Sequence, residues 1–237
     1  MSDIVYAYWF GQADADGVVR LGHGDGRAVR AGETLTVDGD PMLCEWGLHA
    51  SRQVLDALRD GDGPMFACVR LSGQIVEGDD KLAGTARETV WLGDVSATLH
   101  RFACDVAERA LRAERDAGRE PDPRLWAAIT VKRRWLAGEA TAAALAMARP
   151  AAAWIVEDGQ AVVAGYAAQA AARAAMWAAD AAADAAAWAA AAALAVKVAA
   201  WTDAWDAAWP QERAWQEAHV RELLREAGVP IWEEAAR

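Results

Sequence analysis

AVVAGYAAQAAARAAMWAADAAADAAAWAAAAALAVKVAA, residues 161–200, carries alanine at 25 of its 40 positions, with Trp177 and Trp188 among the few large side chains. The tryptophan pattern continues as Trp201, Trp205, Trp209 and Trp215. Alanine is the best helix former, so the tract predicts helix. A flat alanine face lets two helices approach at the short end of the usual roughly 8–10 Å, but it sets their register poorly. Tryptophan supplies the missing shape. Trp201, Trp205 and Trp209 fall at i, i+4 and i+8 and form one ridge, and Trp177 and Trp188 share a face about three turns apart. The expected structure is a helical bundle with Trp177 and Trp188 as core knobs. The ridge at Trp201, Trp205 and Trp209 either packs into the same core or stands exposed as a partner-binding surface, since tryptophan is enriched where interfaces concentrate their energy. Alanine and tryptophan supply no base and no nucleophile.

Working back from the tract, the composition changes near residue 95. Fourteen of the 19 glycines lie before that point. Residues 3–10, 17–21 and 33–37 read as strands, as do FACVRLSG (66–73) and RETVWLG (87–93). Ser51 is placed to cap a short helix that ends at Gly61. Beyond Asp94 the period becomes helical. Leu99, Phe102, Ala103, Val106 and Ala110 form one stripe. Asp122 caps a second helix with Pro123 at its first position and Gly138 just past its end. Lys132, Arg133 and Arg134 read as a solvated basic face. Thr141 begins a further helix, and Pro210 opens a last one closed by Gly228 and Pro230. The expected fold class is α+β, a small and mostly antiparallel N-terminal sheet with one helix (residues 1–95), followed by an all-α Ala/Trp-rich helical bundle (residues 96–237).

The formal charge is −11, which argues against sequence-independent nucleic-acid binding, since that depends on Lys and Arg neutralising phosphates. Arg173, Asp180, Asp184 and Lys197 interrupt the alanine run and argue against a membrane span. Cys44, Cys68 and Cys104 are widely separated, which fits free thiols in a reducing compartment. Together with an N-terminus lacking a basic leader, this gives a cytoplasmic expectation. The four histidines, His23, His49, His100 and His219, show no metal spacing with the cysteines, so no metal site is expected. No phosphate-loop, nucleophile-elbow or dinucleotide fingerprint is present.

CEWGLHASRQVLDAL (44–58), followed by FACVRLSG and GDDK (78–81), has a distinct cadence. It resembles a small uncharacterised domain of phage and bacterial proteins marked by C-x-x-G-[LF]-H-A, here Cys44, Gly47, Leu48, His49 and Ala50, over about residues 1–95. FACDVAERAL (102–111), LWAAITVKRRWLAGEAT (125–141) and the alanine tract resemble Ala-rich helical putative immunity-like proteins. Their W-L-x-G-E-x-T turn matches Trp135, Leu136, Gly138, Glu139 and Thr141. The segment GLHAS also resembles the G-[IL]-Y-x-[AS] strand end of ADP-ribosyltransferases, with His49 in the place of the stacking aromatic. That resemblance implies NAD as cofactor, His49 against the nicotinamide, and Glu88 holding the ribose and stabilising an oxocarbenium-like transition state.

Three functions follow. The first is a non-enzymatic protein-binding accessory protein of phage or bacterial type, immunity- or anti-defence-like, which engages another protein through the bundle or the joint surface and needs no cofactor. The second is an ADP-ribosyltransferase-like enzyme, or an NAD-binding relic, with its site around His49 and Glu88. The third is a structural component that self-associates through the tryptophan ridge.

Overall fold

The computed structural model describes residues 4–22, 26–116, 118, 120–148 and 205–232. Its framework is a hairpin of two long strands, β4 (Met65–Glu77) and β5 (Leu82–Asp94). We number the strands β1 to β5 in chain order. The hairpin runs through Ser72-Gly73, where the sequence suggests a stop. Register shifts at Cys68/Val69 and Ser72/Ile75 absorb the irregularity, and such bulges bend and twist a strand rather than end it.

Strand β1 (Val5–Gly11) pairs antiparallel with β4. The other edge of β5 takes two short strands at successive positions. β2 (Thr34–Thr36) pairs at Ala86–Glu88, and β3 (Leu48–Ala50) pairs at Leu82–Gly84. The five-stranded sheet then curls. Tyr8 N–H donates to Ser51 O at 2.8 Å, and Ser51 N–H donates back to Tyr8 O at 2.9 Å. This bridge joins the end of β3 to β1, so that β1, β4, β5 and β3 form a nearly closed ring. Ala7, Ala50 and Ala67 lie in its core with Val69, Leu71 and Leu82. Small residues at those positions let the strands curl tightly. Helix α1 (Val54–Arg59) buries Val54, Leu55, Ala57 and Leu58 and packs against β1.

Helix α2 (Ser96–Asp116) begins where Asp94 Oδ1 accepts from Ser96 N–H at 2.7 Å. Its predicted stripe is realised: Leu99, Phe102, Ala103 and Val106 are buried and Ala110 is half-buried. Helix α3 (Pro123–Leu136) has the predicted ends. Asp122 Oδ1 accepts from Arg124 N–H at 2.8 Å, and Gly138 takes φ 74°. The basic run on α3 is not a solvated face. Lys132 is fully buried, with its ammonium 4.5 Å from the Trp135 ring centroid, and Arg133 pairs with Asp105 and Glu108 of α2. Residues 142–148 are helical. Helix α4 (Trp205–Glu226) runs through Pro210 rather than starting there, and it closes at Gly228 with φ 81°.

The chain divides into two compact units, residues 1–96 with 220–237, and residues 97–219. The expectation of an antiparallel sheet domain followed by an all-α Ala/Trp bundle is therefore corrected. The protein is a mixed α/β protein with a five-stranded antiparallel sheet. The residues that carried the bundle expectation, including Trp177 and Trp188, lie outside the described residues. The end of α4 and the segment after it are counted with the sheet and not with the helices. The physical reason is the apolar run Val229, Ile231 and Trp232, which is packed in the sheet unit.

Candidate functional site

The sheet unit holds a cavity of about 320 Å³. Its walls come from β1 (Tyr8, Trp9, Phe10), the β3 motif (Gly47 to Ser51), α1 (Ala57), the loops carrying Gly22 and Asp62, and Lys81 and Arg87.

The C-x-x-G-L-H-A motif shapes this wall. Residues 42–46 make a tight turn, with Met42 N–H donating to Trp46 O at 2.7 Å. Gly47 takes φ 119°, and a Cβ there would lie 3.2 Å from Pro41 Cβ and 3.3 Å from Ala83 Cβ. Glycine is thus required both by backbone conformation and by close approach. Cys44 adopts φ 64°, a left-handed conformation uncommon for a side-chain-bearing residue. Its N–H donates to His49 Nε2 at 3.1 Å, which places the ring proton on Nδ1. His49 is therefore the clasp of its own loop, and its carbonyl accepts from Arg87 Nη1 at 2.6 Å.

Arg87 is the unusual member of the set. It is only 1 % exposed, and its guanidinium stacks on Trp9, 4.5 Å from the ring centroid. Nε and Nη2 have no hydrogen-bond partner, and among the described residues no carboxylate pairs with it. Burial pulls the guanidinium down from 12.5 to about 10, with no opposing charge to restore it. Nε–H and Nη2–H point the same way along one edge of the guanidinium. They form the side-on fork that a carboxylate or phosphate meets with two parallel hydrogen bonds.

The other charged groups of the cavity are more ordinary. Lys81 Nζ lies 2.8 Å from Asp60 Oδ2, and this hydrogen bond, opposed by burial, raises the Lys81 pKa. Asp60 is also 3.3 Å from Arg59 Nε. Asp62 is exposed and has no hydrogen-bond or ionic partner among the described residues.

The structure does not bring His49 and Glu88 together. Glu88 Oε1 lies 2.6 Å from Arg70 Nη2, directly across the β4–β5 ladder. It follows Arg87 on the strand, and successive residues point to opposite faces, so Glu88 is absent from the cavity wall that contains Arg87 and His49. Trp201 lies outside the described residues. Trp205 and Trp209 lie in α4, but their side chains are outside the described set. Among the described residues no group of three or more His, Cys, Asp or Glu is arranged to hold a metal ion, and no helix is long and apolar enough to cross a membrane.

The second unit has a wider groove of about 650 Å³ between α2 and α4. His219 Nε2 lies 2.7 Å from Asp105 Oδ2 there, beneath a stacked Trp215. Glu212 pairs with Arg109, Glu108 with Arg112, and both Asp105 and Glu108 with Arg133. These charges are matched, whereas that of Arg87 is not.

No protein-family model, curated protein or solved structure matches the chain. Sequence reasoning finds His49 through its motif and misses Arg87 and Asp62. Arg87 sits between Ala86 and Glu88, where alternation suggests an ordinary outward polar residue.

Proposed function

We propose that the sheet unit is a binding module that holds a small ligand by an acidic group, with Arg87 as the anchor. The unfilled Nε/Nη2 fork on a buried, unpaired guanidinium carries this reading. A buried cation without a partner is costly, and a carboxylate or phosphate would offset that cost on binding. The cavity volume, about 320 Å³, lies at the lower end of the roughly 300–1,000 Å³ of ligand pockets, and its apolar lining, which includes Trp9, Leu21 and Leu48, suits an apolar body. This reading is non-enzymatic, like the first expectation, but it replaces the expected protein partner, engaged through the bundle or the joint surface, by a small ligand in the sheet unit. ADP-ribosyl transfer has less in its favour, because Glu88 is engaged by Arg70. Three free thiols, Cys44, Cys68 and Cys104, support a reducing compartment.

The test is thermal melting with millimolar inorganic phosphate, short carboxylates, nucleotides and NAD, each on the wild type and on Arg87→Met. A ligand at one hundred times its Kd should stabilise the wild type by about 2.7 kcal/mol and leave Arg87→Met unmoved. The ligand-free variant should melt at or above the wild type, since an apolar chain replaces an unpaired buried charge. An equal ligand-induced shift in both proteins, or no shift with any acidic compound, would overturn the reading.

A further inference from the structure

We infer that the ligand is a small zwitterion, an α-amino acid or a compound of that build, with its carboxylate on Arg87 and its ammonium group toward Asp62. The inference rests on the proposed anion site and adds the second charge. Among the described residues, the cavity lining has a cation without an acidic partner, Arg87, and an acid without a cationic partner, Asp62. Lys81 and Asp60, the other full charges there, neutralise one another at 2.8 Å. Subtracting that pair leaves one unmatched positive and one unmatched negative group, which together make the complement of an amino-carboxylate.

The position of Asp62 has its own support. Its Oδ2 occupies the space that a Cβ on Gly22 would need. Glycine at position 22 thereby leaves room for a carboxylate at the cavity wall. Asp62 is exposed, which leaves it open to an incoming donor. Trp9, Leu21 and Leu48 are among the residues that line the cavity, so an apolar or aromatic side chain is favoured over a charged one.

Calorimetric titration separates the two levels of the argument. Phenylalanine and leucine are each compared with the acid that lacks the amino group, 3-phenylpropionate and 4-methylpentanoate. The wild type should prefer the amino acid by about tenfold, the scale of one charge-assisted hydrogen bond. Asp62→Asn should bind amino acid and plain acid alike, and Arg87→Met should bind neither. Asp62 has no partner among the described residues, so its substitution leaves the fold intact, which circular dichroism and the melting temperature verify. Equal binding of amino acid and plain acid by the wild type, or a preference that survives Asp62→Asn, would overturn the zwitterion while leaving the anion site standing. Failure of every acidic compound to bind would remove the anion site and the zwitterion with it.

Discussion

Arg87 and Lys132 are both buried cations, and their surroundings separate them. Lys132 sits over the face of Trp135 at 4.5 Å, within reach of the ring's quadrupole. Arg87 has the Trp9 face and a single carbonyl. Its depression from 12.5 to about 10 corresponds to about 3 kcal/mol of desolvation. Burial also sorts the thiols. Cys68 and Cys104 are buried and pushed up to about 12, whereas Cys44 is exposed on its turn. The thiolate is the reactive form, so at neutral pH a thiol reagent should modify only Cys44 in the folded protein. All three cysteines should react in guanidinium, and Cys44→Ser should abolish the fast phase. Rapid reaction of Cys68 or Cys104 in the folded chain would contradict their burial.

Helix α3 shows what local sequence can specify. Asp122 caps it, Pro123 needs no amide partner, and Gly138 supplies the left-handed residue beyond Ala137. Each signal acts within a few residues and is legible without tertiary knowledge. The hydrogen bond from Arg124 holds the Asp122 carboxyl below its ordinary 3.8. The unfolded chain therefore takes up this proton first as pH falls. Asp122→Ala should cost about 1 kcal/mol at neutral pH. The difference from wild type should shrink below the ordinary value of 3.8 and vanish below the depressed one, as read by urea unfolding across the acid range. A difference independent of pH would assign the loss to something other than the cap. The stripe of α2 was legible for the same local reason. Arg87 was not. Its inward position depends on the curl that brings β3 to β1 through Tyr8 and Ser51, far apart in sequence. Ser51, read as a helix cap, completes that bridge through its backbone, and the N-cap position of α1 falls to Gln53, whose side chain makes no capping hydrogen bond. Local propensity carries no information about such a pairing.

At the scale of the whole molecule, the two ends of the chain share one unit. Trp232 Nε1–H donates to Ala7 O at 3.0 Å, and its ring meets Tyr6 edge-on at 4.9 Å. The Trp232 carbonyl accepts from Arg221, and Cys68 Sγ lies 3.2 Å from Pro230 O. These contacts seat the C-terminal segment on β1, the strand that also supplies Tyr8 and Trp9 to the cavity. Compositional change near residue 95 hid this arrangement, because a domain boundary read from composition assumes that each unit is continuous in sequence. The two organisations differ in one measurable respect. If residues 1–95 were self-sufficient, Trp232 would be dispensable to the sheet. With the observed packing, Trp232→Ala should lower stability by about 3 kcal/mol, the low end for losing a buried aromatic, since this ring is only half-buried. Trp232→Phe keeps a ring against Tyr6 and loses only the bond to Ala7, so about 1 kcal/mol should go. The loss should appear in the transition of the sheet, followed by near-ultraviolet circular dichroism of its aromatic cluster, Tyr8, Phe10 and Phe66. Equal stability of both variants and the wild type would restore a self-contained front domain, whereas the graded order wild type, Phe, Ala would establish that the sheet is completed by the end of the chain.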